Sequence, residues 1–295
     1  METRALGDTG QESTVLTFGA IILDRLEQPA ANRAVELAMN HGVNHIDVAP
    51  AYGDAELKLG PKLREYREDV FLGCKTGERD YEGARRKLDR SLDRLGVETI
   101  DLYQFHGLET EEELETIVGG DGALKAFREA KDEGTVEHIG LTSHGRPDLI
   151  LGAIDRIDDL ESVMFPMNYT VMGKDDGEHD YAAVLERLNE EGMGAIGIKA
   201  FAKQPWPDES DLRPDQRAYG TWYEPYDTQE EIDDCLNFAL SQGMDTITNA
   251  GDPKLLPMIL DAAERFETLS AEERADLRER GRRQESPVPA RLGDD

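Results

Sequence analysis

Eight short runs of β-forming residues recur along the chain, each followed by a longer stretch with helical hydrophobic spacing, and this alternation limits the fold more than any other feature. The runs are Val15–Gly19, Val43–Val48, Val70–Lys75, Ile100–His106, His138–Thr142, Ser162–Pro166, Gly194–Lys199 and Asp245–Thr248. Alternation of this kind is the pattern of βα units, which a chain satisfies with a parallel sheet covered by helices. Two architectures take eight such units, an open doubly wound sheet and a closed barrel. The open sheet usually carries a glycine-rich turn after its first strand for a dinucleotide, and the sequence has no GxGxxG. The expectation is therefore α/β, a (β/α)8 TIM barrel in a single domain, for which 295 residues is an ordinary length.

Helix punctuation supports the alternation. Pro29 stands near one start and Gly42 just after the end; Asp227 with Glu230 reads as a capping pair, and Gly243 closes that helix. Asp252 followed by Pro253 reads as another helix entry. An extra helix, Ser270–Arg280, is expected outside the barrel, with the Pro-rich tail after about 282 loose. One long irregular stretch, Ala202–Tyr226, follows strand seven, where a barrel keeps functional loops. Its aromatics Trp206, Trp222, Tyr223 and Tyr226 either wall a substrate pocket or pin the loop.

Charge narrows the partners. The chain carries 63 acidic and 33 basic side chains, a net charge of -30, and such a field repels nucleic acid and anionic membrane surfaces. A Lys-poor acidic surface of this kind predicts a halophilic protein, whose self-repulsion salt would screen. No apolar run approaches the ~20 residues of a membrane span and no charged leader precedes an apolar stretch, which places the expected location in the cytoplasm. Cys74 and Cys235 read as small core residues, and no metal-ligand spacing occurs.

Barrel active sites lie at the C-terminal ends of the strands. There the second, third and fourth strands end in Asp47, Lys75 and His106, and Tyr52 follows a few residues after Asp47. An Asp and a Lys in contact form an ion pair, and an ammonium beside a phenol is expected to lower the phenol toward the working range, making Tyr52 a general acid. His106 would add a hydrogen bond to an oxygen gaining charge. Without an acyl nucleophile or metal ligand set, the chemistry these groups suit is proton donation to a carbonyl oxygen as hydride reaches its carbon. His45, two residues before Asp47, shares its face as packing, and His144 borders the site or is an ordinary loop histidine.

The stretch GVNHIDVAPAYGDAE at 42–56, with CKTG at 74–77 and YQFHG at 103–107, resembles the aldo-keto reductase family, and the resemblance extends over nearly the whole chain. It implies a (β/α)8 barrel, a nicotinamide cofactor bound without a Rossmann motif, and a catalytic tetrad of Asp47, Tyr52, Lys75 and His106. It also places the cofactor at Gly19, Thr142, Ser143, Asn168, Lys199, Phe201, Asn249, Gly251 and Lys254. Several of these depart from the family pattern. Thr142 and Ser143 stand where the family has Ser and Asn on the carboxamide. Pro166 replaces the usual Gln after strand six, with Asn168 nearby as a substitute. Ile198, Lys199, Ala200 and Phe201 follow strand seven where an aromatic often stacks on the nicotinamide, and Lys199 would reach the pyrophosphate.

In the late loop ITNAGDPK at 247–254, Gly251 takes the position of a basic residue that meets the 2′-phosphate of NADP, while Asp252 repels a second phosphate. The family favours NADP(H); the residues keep NAD(H) as a rival, with Lys254 the nearby cation. The implied activity is hydride transfer between NAD(P)H and a small aldehyde, ketone or sugar. A cofactor-binding or sensor barrel with little turnover is the alternative reading, and a Schiff-base barrel using Lys75 a third.

Overall fold

The computed structural model describes residues 1–174, 179–206 and 217–288. A hairpin of β1 (Thr3–Ala5) and β2 (Glu12–Thr14) opens the chain. The parallel strands β3 (Leu16–Gly19), β4 (His45–Asp47), β5 (Phe71–Thr76), β6 (Ile100–Phe105), β7 (Val136–Thr142), β8 (Ser162–Pro166) and β9 (Gly194–Ile198) come next. An antiparallel ribbon of β10 (Ala202–Gln204) and β11 (Glu224–Pro225) precedes β12 (Thr246–Thr248), which pairs with both β9 and β3 and closes the eight-stranded barrel. The helices are α1 (Gln28–Asn40), α2 (Ala55–Tyr66), α3 (Tyr81–Leu95), α4 (Glu111–Val118), α5 (Ala123–Glu133), α6 (Pro147–Ile154), α7 (Tyr181–Glu191), α8 (Gln229–Ser241), α9 (Leu256–Glu264) and α10 (Ala271–Arg282). The (β/α)8 expectation holds, and every expected strand is present with its ends shifted by no more than two residues.

Two-residue periodicity divides the barrel into two cores. Phe71, Leu102, Met164, Ile196 and Ile198 point to the axis and pack with Leu6 from the hairpin turn. Their neighbours Leu72, Cys74, Tyr103, Phe105, Val163 and Phe165 point outward, under Ala84, Leu88 and Leu95 of α3, Phe127 of α5 and the other helices. The hairpin, which the polar N-terminal sequence conceals, lies across the start of β9: the Asp8 N–H donates to the Gly192 carbonyl (2.7 Å), and Leu6 enters the axis. The hairpin thereby closes the lower end of the barrel, opposite the ends of the strands that carry Asp47 and Lys75.

Local details differ from expectation in three places. The cap of α8 is Thr228, whose hydroxyl accepts from the Glu231 N–H; Asp227 instead accepts from the Tyr219 hydroxyl (3.0 Å). Asp252 closes a turn, accepting from the Lys254 N–H (2.9 Å), and α9 begins only at Leu256 because Asp252 is also held by the Gly220 N–H (2.7 Å). The described part of the C-terminal tail, 283–288, is docked rather than loose. The Gln284 Oε1 accepts from the Thr170 and Tyr226 hydroxyls (2.9 and 2.6 Å), and Val288 is buried. Residues 289–295 of that tail and 207–216 of the long stretch after strand seven lie outside the described residues.

Candidate active site

The barrel brings Asp47, Tyr52, Lys75 and His106 to one mouth. Asp47 ends β4 and Lys75 lies near the end of β5, both facing the axis and both buried. The Lys75 Nζ donates to the Asp47 Oδ2 and to the Tyr52 hydroxyl, the latter at 3.2 Å. Tyr52 sits in the turn between β4 and α2, which is closed by its N–H donating to the Ala49 carbonyl (3.0 Å) and by its carbonyl accepting from the Ala55 N–H (3.0 Å). His106 lies one residue beyond β6, its N–H on the Thr76 carbonyl (2.8 Å), and its ring meets that of Tyr52 edge to face at 5.8 Å between centroids.

Burial sets the electrostatics. Burial pushes the Asp47 carboxyl up against the pull of Lys75 and Gln104. For Lys75 burial acts downward, yet Asp47 and Tyr52 outweigh it and hold the ammonium above its ordinary value. The Tyr52 phenol is raised, because burial exceeds the lowering by Lys75. This corrects the expectation of a phenol drawn down toward neutrality: the low-dielectric mouth penalises the phenolate more than one paired ammonium favours it. Burial, then Lys75, His144 and Arg79, hold the His106 imidazole well below its ordinary value and therefore neutral near pH 7.

The candidate cofactor positions surround the mouth, but most of their polar atoms already have protein partners. The Asn249 Oδ1 accepts from the Gly19 N–H (2.8 Å), and its Nδ2 donates to the Gly19 carbonyl (3.3 Å) and the Ala250 carbonyl (2.9 Å), stitching the seam between β12 and β3. The Thr142 hydroxyl accepts from the Gly107 N–H (2.8 Å). That of Ser143 donates to the Leu108 carbonyl (3.1 Å) and the Gly145 carbonyl. The Asn168 amide is spent on the Val171 N–H (2.8 Å) and the Lys199 carbonyl (2.9 Å), and Phe201 is buried in the outer core with no exposed ring face.

Lys199 is different. It adopts a left-handed φ of 56°, strain of about 1 kcal/mol or more in a non-glycine residue. Burial lowers its ammonium to about 8, against an opposing effect of Glu109, and its Nζ reaches the His144 carbonyl at 3.4 Å. The ring of His144 is 5.9 Å from that of His106, and its Nδ1 is buried without a protein partner. A half-buried ammonium with no ion-pair partner among the described residues, and an imidazole nitrogen with no hydrogen-bond partner among them, fit an anionic, hydrogen-bonding ligand such as a nicotinamide dinucleotide.

Gly251 is partly exposed beside Ile21, and the Lys254 Nζ donates to the Ala218 carbonyl (2.9 Å). Arg25, absent from the sequence reading, reaches the same loop: a Cβ on Gly220 would stand 2.9 Å from its Nη1 and 3.5 Å from the Asp252 Oδ2. Two further residues escaped sequence reasoning. The Arg79 Nη2 donates to the His106 and Gly107 carbonyls (3.0 and 2.8 Å) and pairs with Glu113, clamping the turn that carries His106. The Gln104 Nε2 donates to the Asp47 Oδ1 (3.1 Å). Arg79 had a usable signal in its place four residues after Lys75; Gln104 and Arg25 act through partners remote in sequence. Among the long-loop aromatics, Tyr226 is buried and pins the loop, the Trp206 Nε1 is tied to the Thr221 carbonyl (3.0 Å), and Trp222 is 82% exposed.

Comparison with known proteins accords with this geometry. A model of the Aldo/keto reductase family matches residues 15–276. The L-galactose dehydrogenase of Arabidopsis thaliana is 29% identical over 218 residues, 68% of this chain and 66% of that protein. The D-arabinose 1-dehydrogenase of Saccharomyces cerevisiae is 26% identical over 153 residues, 46% of this chain and 44% of that protein. The matches thus span less than two thirds of these relatives' own length. The holo form of an aldo-keto reductase from Bacillus halodurans shares the fold at a TM-score of 0.72 with 22% identity, covering 100% of this chain and 99% of that one. With the family model extending over most of its length, the chain belongs to the aldo/keto reductase family.

Proposed function

We propose that the protein is an NAD(P)H-dependent carbonyl reductase in which Tyr52 is the general acid. The observation that carries this reading is the Lys75 ammonium held in contact with both the Asp47 carboxylate and the Tyr52 hydroxyl, beside a neutral His106. The nicotinamide supplies the hydride when bound. Tyr52, kept protonated by its burial, donates its proton to the carbonyl oxygen as that oxygen becomes a strongly basic alkoxide, so a raised phenol is no obstacle to transfer. Lys75 stabilises the phenolate left behind, Asp47 keeps Lys75 charged, and His106 donates a hydrogen bond that orients the carbonyl. Lys199 and His144 would hold the cofactor near the mouth. The Arg25 guanidinium, which meets Asp252 across Gly220, would offset the repulsion by that carboxylate, which supports NADP(H) over NAD(H). Two buried, unpaired cysteines suit a reducing cytoplasm.

The sugars named in two relatives make aldoses the first substrates to try. The alternative, a binding barrel with little turnover, draws support from Thr142, Ser143 and Asn168, whose polar atoms are occupied by backbone partners. Fluorescence titration with NADPH and NADH in high salt, followed by turnover of L-galactose, D-arabinose and 4-nitrobenzaldehyde, separates the two. Tyr52→Phe is expected to lower kcat by about 10²–10⁴ while leaving the NADPH Kd within about twofold. Unchanged turnover in that variant removes Tyr52 from the mechanism, and tight binding without turnover by the native protein favours the binding barrel.

A further inference from the structure

Gln104 is fully buried on β6, in register with Lys75 on β5 and with Gly140 on β7. Its side chain reaches past β5 to Asp47 on β4, two strands away, which requires clear space on both flanks. Two glycines provide it. A Cβ on Gly140 would lie 2.8 Å from the Gln104 Cγ, and one on Gly73 would lie 3.3 Å from the Asp47 Oδ1 and 3.5 Å from the Gln104 Nε2. The Asp47 carboxylate is thus divided, Oδ2 to Lys75 and Oδ1 to Gln104. The amide orientation follows from charge, since Oε1 turned toward the carboxylate would repel it. Oε1 itself is buried with no protein partner, so donation to Asp47 is the polar bond that the structure shows for this side chain.

We propose that Gln104 is a positioning residue of the reductase site: its amide fixes the rotamer of Asp47 and keeps that carboxylate ionised opposite Lys75. The inference rests on the reading of Asp47 and Lys75 as the pair that serves Tyr52. Of the titratable groups around Asp47, Lys75 faces it from β5, Tyr52 from the following turn, His106 from the end of β6, and His45 from two residues below on its own strand; β3 contributes only Thr17 and Gly19. His45 is neutral, its imidazole pushed down to about 3 by burial and then by Lys75. The amide of Gln104 is therefore the second group that favours charged Asp47, after Lys75. Removing it shifts protonation of Asp47 to higher pH, and Lys75 then loses its counter-ion.

The test follows the Lys75 Cε signal by carbon-13 NMR of lysine-labelled full-length protein in high salt, assigned as the signal missing from Lys75→Met. In the native protein this signal moves as Asp47 takes up its proton at acid pH. In Gln104→Leu and Gln104→Met the inflection is expected about one to two pH units higher, the loss of one hydrogen bond to a charged group. Gln104→Glu places a second carboxyl beside the first and is expected to move it further in the same direction. Met keeps the length of Gln, so it stands in should the Leu variant fail to fold. An inflection unmoved in a folded Leu or Met variant, or lowered in the Glu variant, overturns the proposal. The readout needs no turnover, so the reductase reading is judged separately by NADPH oxidation with 4-nitrobenzaldehyde and its loss in Tyr52→Phe. Where turnover is present, the acid limb of kcat against pH moves with the NMR inflection, whereas a merely structural Gln104 would lower kcat at all pH values alike.

Discussion

Three histidines in and beneath the mouth are held neutral by their surroundings, His45 and His144 at about 3 and His106 well below its ordinary value, with burial the leading cause for each. The sign of the pH dependence follows. A folded value below the unfolded value of about 6.5 means that the unfolded chain binds more protons between the two, so stability is lost as pH falls from about 6.5 toward 3. For His45, whose Nδ1 meets the Ser13 hydroxyl at 2.9 Å, the native advantage over His45→Leu should shrink by about 2 kcal/mol between pH 7 and pH 5 in urea unfolding. A constant difference would mean that His45 is protonated in the folded protein. Asp47, Lys75 and His106 were legible in the sequence because each lies within one residue of a strand end. Gln104 was not, because its partner lies two strands away and only barrel closure with glycine-lined flanks brings them together.

Elements were legible where hydrophobic periodicity and glycine punctuation agree, as in α1, which has Pro29 in its first turn and ends just before Gly42 at φ 81°. Caps set by tertiary bonds were not. Asp227 and Thr228 both suit an N-cap, and the bond from the Tyr219 hydroxyl takes Asp227 away, leaving Thr228 to the Glu231 N–H. Thr228→Ala is expected to lower stability by about 1 kcal/mol and Asp227→Ala by clearly less, read as midpoint shifts in urea. The reverse order would restore Asp227 as the cap. The β1–β2 hairpin and the docked tail share this origin: both are short polar segments whose few buried residues, Leu6 and Val288, meet partners far along the chain.

At the scale of the whole molecule, a net charge of -30 lies outside a barrel whose helices are laced with ion pairs such as Arg265 with Asp233 and Asp261 and Arg128 with Asp159. Exposed pairs contribute little each, so general repulsion dominates the salt response. We propose a halophilic protein whose Tm rises steadily between about 0.05 and 2 M KCl, as the screening length drops from above 10 Å to below 3 Å. A flat or falling Tm over that range would show that pairing, not screening, balances the surface. Among the described residues no helix is long and apolar enough to cross a membrane.

The sequence by itself determined the barrel and the residues at its strand ends, because a period of two and a period of 3.6 are local properties that survive without knowledge of neighbours. Tertiary structure alone decided how those residues behave. Whether the Tyr52 phenol rises or falls depends on how burial compares with a single ammonium, and whether Thr142, Ser143 and Asn168 have free hydrogen-bonding capacity depends on backbone groups brought to them from other turns. Desolvation and hydrogen-bond partnership are set by the sum of surrounding atoms, and most of those atoms belong to residues distant in the chain.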